Sequence, residues 1–151
     1  MLSLWVIMWL GEGMIGLMEP LYDNYYFLFL QKIFVEGTVS RLDDKIMEKA
    51  LESFKDHSGF LFETAQYHAR KCEYEKAIAY YERSWALEEA QKPRFTDALD
   101  GIATIYEIVG DMAKALETVD RKIACLKEEW GYKDGDAVVL EAEAQKNRLL
   151  K

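Results

Sequence analysis

Cysteine, proline and histidine are scarce in this chain, with two of each among 151 residues. Cys72 and Cys125 stand alone, without a C-x-x-C pair or a framework spacing, so neither a disulfide scaffold nor a zinc site is signalled. That usage fits a reducing, cytoplasmic compartment, with both thiols expected as small buried hydrophobes. Two prolines and nine glycines are too few for a loop-rich all-β protein and suit long uninterrupted helices. Basic charge is short as well: 19 Lys+Arg against 27 Asp+Glu leave a formal net charge of −8. Phosphate backbones require a basic footprint, so nucleic acid is excluded as the main partner.

What the chain has is apolar bulk. Half of its residues are hydrophobic and 30% are charged, an ordinary globular profile that excludes intrinsic disorder. A chain of this size makes about one domain, and it buries about 70% of its unfolded surface.

The amino terminus is the oiliest part. Met1 to Met18 is apolar except for Ser3 and Glu12. No basic residue precedes Lys32, so a secretory signal, with its basic n-region, is not expected here. A membrane span needs about 20 apolar residues, whereas this run is short, contains Gly11, Gly13 and Gly16, and carries an acid near its middle. A buried helix over Leu2–Leu17 is expected. The alternatives are a membrane-associated scaffold anchored through Met1–Met18, and translation from Met8, Met14 or Met18. Pro20 suits the first turn of a second helix running to about Glu36. Its rings (Tyr25, Tyr26, Phe27, Phe29 and Phe34) go most of the way round, so something must bury them. Either the rest of the chain does, or a second copy does in a homodimer. Residues 1–37 are therefore read as a hydrophobic helical hairpin on the same domain as 38–151.

From Glu36 onward the pattern is amphipathic and punctuated. Ser40-Arg41-Leu42-Asp43 reads as a capping box. The helix it opens, Arg41 to about Asp56, carries Leu42, Ile46, Met47, Ala50, Leu51 and Phe54 on one face. Gly59 is expected to separate it from Phe60–Lys71. A turn at Cys72-Glu73 leads into Tyr74–Gln91, where Pro93 blocks continuation. Phe95–Val109 stops at Gly110, Asp111 caps Met112–Trp130, Gly131 ends that helix, and Gly135–Lys151 is the last. No strand is signalled, so the class is all-α, with about seven helices.

Self-similarity decides the architecture. Leu61-x-x-Thr64-Ala65-x-x-His68 followed by Ala77-x-x-x-Tyr81 returns 38 residues later as Leu99-x-x-Ile102-Ala103-x-x-Tyr106 and Ala115-x-x-x-Val119. The acidic turn shifts with it, Glu73-Tyr74-Glu75-Lys76-Ala77 falling on Asp111-Met112-Ala113-Lys114-Ala115. Small residues at Ala65 and Ala77 let two antiparallel helices approach closely, and the larger neighbours fill the gaps. This pattern resembles the tetratricopeptide repeat family, W-x₂-L-G-x₂-Y…A-x₃-F…P, clearest over 58–130. Leucine replaces the leading aromatic in both copies, alanine replaces glycine, and His68 replaces one tyrosine. Pro93 lies sixteen residues after Ala77 rather than twelve, matching units one helical turn longer than usual. The units are read as 58–95 and 96–133. Residues 135–151 form a capping helix whose apolar positions are Ala137, Leu140 and Ala144.

The resemblance implies an α-α superhelix whose concave face, lined by the first helix of each unit, holds a peptide. Carried over residue by residue, the face is Phe62, Gln66, Ala69 and Arg70 in the first unit. The second gives Asp97, Asp100, Thr104, Glu107 and Ile108, and the last helix Val138, Ala142 and Gln145. Chaperone-binding members clamp a carboxylate with lysines and asparagines that are absent here. The partner expected is a protein or peptide carrying basic and apolar groups. The same clustered acids also fit an ordinary solvated face.

Catalytic patterns are missing, and the reading is a non-catalytic scaffold without cofactor or metal. Gly11-x-Gly13-x-x-Gly16 with Glu36 matches a dinucleotide fingerprint. Pro20 would break its helix and no further βα units follow, so a nucleotide-binding enzyme is the lesser alternative. His57 and His68 lack metal-ligand spacing, and His68 falls on a repeat packing position. Adjacent acids such as Asp43-Asp44, Glu88-Glu89 and Glu128-Glu129 point about 100° apart on a helix and cannot converge as a dyad.

Overall fold

Helix-forming segments and tight turns alternate through the part of the chain that a computed structural model describes, residues 41–151. Six α-helices occur there: α1 Arg41–Phe54, α2 Ser58–Arg70, α3 Tyr74–Leu87, α4 Asp97–Val109, α5 Met112–Glu128 and α6 Ala137–Leu149. No strand occurs among the described residues. About seven helices are expected over the whole chain, and the described residues hold six. The hairpin of 1–37, its aromatic helix, the glycine motif at 11–16 and the Ser40 capping box lie outside the described residues.

Each helix packs on the next, and α2 also touches α4. Three residues join α2 to α3 and two join α4 to α5, so each pair is an antiparallel hairpin. Both crossings are closed by the small residues that the sequence places there. Ala65, Ala77 and Ala115 are fully buried and Ala103 is 1% exposed. Leu61, Leu99, Ile102 and Val119 fill the remaining space around them. One apolar cluster runs through both hairpins, from Ala65, Ala77, Tyr81 and Trp85 to Leu99, Ile102, Ile105 and Cys125. Tyr81 reaches across to α4 at Gly101, where a Cβ would meet its ring at 2.4–2.9 Å. At the other end α6 lays Val139 and Ala142 against Leu126, with Ile123 and Tyr132 at the edge. Helix α1 buries Met47, Ala50 and Phe54.

The two hairpin turns repeat bond for bond. In the first, Cys72 N–H donates to Ala69 O (3.0 Å) and Glu73 N–H to His68 O (2.9 Å). In the second, Gly110 donates to Glu107 O (3.2 Å) and Asp111 to Tyr106 O (2.9 Å). Both are Schellman closures, whose turning residue is left-handed: φ is +59° at Cys72 and +81° at Gly110.

Several helix ends depart from expectation. Helix α2 starts at Ser58 rather than Phe60, because His57 Nδ1 accepts from Phe60 N–H (3.1 Å) and caps it; Gly59 lies inside the first turn. Helix α3 stops at Leu87 and tightens into a 3₁₀ turn over Glu88–Gln91. Lys92 is extended ahead of Pro93, as sterics before proline favour. Cys72, expected buried, is exposed on its turn, whereas Cys125 is buried as expected.

Candidate functional site

The residues carried over from the repeat pattern lie along α2 and α4, which touch each other. On α2, Phe62 is half-buried against Tyr81 (ring centroids 5.4 Å apart), Gln66 is half-buried and Arg70 is exposed. On α4, Asp97 and Thr104 are exposed, while Asp100 and Glu107 are half-buried. Ile108, at the end of the same helix, is 60% exposed.

The acids here are not bare. Asp100 Oδ1 accepts from Lys122 Nζ of α5 at 2.6 Å. Glu107 accepts from Arg148 Nη2 of α6 through both oxygens, at 3.1 and 3.0 Å. Their partners lie 22 and 41 residues away, so residue type and spacing alone leave both carboxylates looking like open charge.

The last helix sits in a different register from the one expected. Ala137, Leu140 and Ala144 were expected inward, but all three are exposed, and Val139 and Ala142 are fully buried. Leu99 and Ile102 thus correspond to Val139 and Ala142 at a spacing of 40 residues, two more than separate the first units. The extra length falls in the turn-rich stretch 129–136. Ala142, expected on the open face, belongs to the core, and the positions of α6 matching that face are Leu140, Ala144 and Arg148.

On the other helices, ion pairs repeat along the chain. Arg83 Nη2 bonds Asp56 Oδ1 (3.1 Å), and 38 residues on, Arg121 bonds both oxygens of Glu82 (2.6 and 2.8 Å). Glu82 has its counterpart in Asp120, which accepts from Lys146 Nζ (2.6 Å). These pairs tie α3 to α5 and α5 to α6, at exposures where each is worth below about 1 kcal/mol.

The junction between units is barely signalled by residue spacing. The guanidinium of Arg94 lies 4.1 Å from the Trp85 ring centroid. Its Nε and Nη2 clasp the Glu129 carboxylate, and its backbone N–H donates to Glu129 Oε2 (3.0 Å). Trp130 Nε1 in turn donates to Arg94 O (2.7 Å). Hydrogen bonds from Arg94 hold the Glu129 carboxyl down to about 2. Burial pushes the Cys125 thiol up to about 11 and the Tyr81 hydroxyl up to about 12. The only local signal was Arg94 directly after Pro93, with Trp130 and Tyr132 flanking Gly131.

His68 stacks on Tyr80 (5.3 Å between centroids) and shares a 2.5 Å contact between Nδ1 and Glu73 Oε2. That contact pulls the Glu73 carboxyl below its usual range, helped by Lys71 and Lys76. The histidine thus fastens the turn. Among the described residues, no group of three His, Cys, Asp or Glu side chains could hold a metal ion. No helix there is long and apolar enough to cross a membrane. No family model, no curated protein and no solved structure matches the chain.

Proposed function

We propose that 58–151 is a small α-solenoid of tetratricopeptide type and that the chain is a non-catalytic interaction module. It holds a protein or peptide segment on the face of its first helices, α2 and α4, continued by α6. One observation carries this reading. Two hairpins 38 residues apart bury the same small residues and close with the same turn hydrogen bonds, and such units leave an extended surface along their first helices.

The partner we infer is a segment with apolar and basic groups. Phe62, Ile108, Leu140 and Ala144 offer apolar contact, and Asp97 offers an exposed carboxylate. Because Asp100 and Glu107 already hold Lys122 and Arg148, the basic preference rests mainly on Asp97 and the apolar contacts supply most of the affinity. The solitary cysteines fit work in a reducing, cytoplasmic compartment.

The test is a titration of the full, ¹⁵N-labelled chain with a helical peptide of leucine and lysine, followed by amide shifts. Shifts confined to Phe62–Arg70, Asp97–Ile108 and Leu140–Arg148, and abolished by Thr104→Arg, support the reading. Peptide binding that perturbs none of these stretches, or that survives Thr104→Arg unchanged, refutes it.

A further inference from the structure

The junctions between units gather aromatic rings outside the face discussed above. Phe95 is 63% exposed and Trp130 is 36% exposed. Their ring centroids lie 5.8 Å apart, and Trp130 stacks on Tyr132 at 6.1 Å. The indole N–H of Trp130 is already bonded to the Arg94 carbonyl, so the residue presents ring rather than donor. Phe95 and Trp130 are thus exposed side by side, with half-buried Tyr132 behind them, and Trp and Tyr concentrate where binding energy does.

Charge narrows what such rings would take. The ring-bearing segments, Glu88–Phe95 and Glu128–Asp136, hold six carboxylates against Lys92, Arg94 and Lys133, and of the six Asp134 is paired with Lys127 of α5 at 2.6 Å. Arg94 is committed to Glu129, and Lys92 lies 3.5 Å from Glu89. The Glu88 carboxylate sits at the exposed ring's own backbone, accepting Phe95 N–H at 3.1 Å, a neutral donor that leaves its charge in place. Within the fold the same chemistry is already realised, with the Arg94 guanidinium over Trp85 and Glu129 as its counter-charge.

We propose that the Phe95–Trp130–Tyr132 surface is a second docking site, taking an arginine side chain from a basic segment of a partner protein. The ring faces receive the cation through their quadrupole, and Glu88 supplies the opposing charge. An acidic or uncharged segment gains neither. The site is built on the two linkers, after α3 and after α5, rather than on α2 and α4, and does not require their face.

The test is fluorescence anisotropy of a labelled hexapeptide alternating glycine and arginine, titrated with the full chain. A control peptide carries citrulline, the uncharged isostere of arginine. The arginine peptide should bind, weakening with salt, and the citrulline peptide should not. Phe95→Ser and Glu88→Gln should each weaken binding about fivefold or more. Phe95→Tyr and the remote Glu141→Gln should bind as wild type. Glu88→Gln keeps an acceptor for Phe95 N–H, so it carries the test if Phe95→Ser fails to fold. No binding, equal binding of the citrulline peptide, indifference to both patch substitutions, or an equal loss with Glu141→Gln overturns the proposal. So does a dimer, seen by sedimentation, that Phe95→Ser disperses, since a second copy would then occupy the rings.

Discussion

Cys72 and Gly110 occupy the same place in two copies of one turn, and only one suits a left-handed backbone. A side chain at positive φ costs about 1 kcal/mol or more, which glycine avoids. Cys72→Gly should therefore stabilise the fold by about 0.5–1 kcal/mol, read as a higher urea midpoint at unchanged m. Gly110→Ala should cost about 1 kcal/mol; since nothing lies within 4 Å of the added carbon, that loss is conformational. Gly101 is a different case. Its added methyl would strike the Tyr81 ring, which is 5% exposed and packed in the core. Gly101→Ala should lose about 1–3 kcal/mol despite its better helix propensity, and Tyr81→Leu in the same chain should recover much of it. Thermal melts of the two single variants and the double variant would show the coupling. Glu129 sets the acid limb of stability. Its folded value of about 2 lies below the ordinary 4.5. The Arg94 clasp thus stabilises the fold above pH 4.5 and is lost as pH falls through 2. Chemical denaturation between pH 6 and 2 should show that decline in wild type and a flatter one in Glu129→Gln.

At the scale of elements, the helix ends are where sequence and structure agree least evenly. Asp111 was legible as a cap because its carboxylate stands directly before an apolar period, and it does accept from Lys114 N–H (3.2 Å). Asp111→Ala should cost about 1 kcal/mol, measurable as a lower denaturation midpoint. His57 was not legible, since a histidine seldom caps and Gly59 gave a stronger local signal. The inward residues of α2–α5 could be read from spacing alone, because close helix crossings admit only small side chains and Ala65, Ala77, Ala103 and Ala115 recur at one interval. Helix α6 defeated the same logic. Two added residues in the preceding loop moved every position, and a helix of mixed alanine and charge carries no strong face to reveal the slip. The candidate face was half legible: its positions follow from the repeat, but Lys122 and Arg148, which neutralise it, come from other helices. The Arg94–Glu129 clasp was invisible for the same reason, joining residues 35 apart across two linkers.

Across the whole described region, contacts run from each helix to its neighbours, with little bridging beyond them. Stability in such a chain is approximately a sum of local terms, so its parts need not open together. Native-state hydrogen exchange should find the slowest amides in Leu99–Ile105 and Ala115–Val119, which are flanked on both sides. Faster amides are expected in α6, which packs mainly on α5 and meets α4 through the exposed Arg148–Glu107 pair. Uniform protection from α1 to α6 would contradict this picture.

Helix α6 also determines how the array could be lengthened by engineering. At the places where Ala65 and Ala103 admit a partner helix, it carries Glu143, and where His68 and Tyr106 stand it carries Lys146, both engaged with α5. A further hairpin grafted onto it would bury two charges and clash at the crossing. Growth in that direction would require Glu143→Ala and Lys146→Tyr first, and without them a fused module should hang loose on its tether.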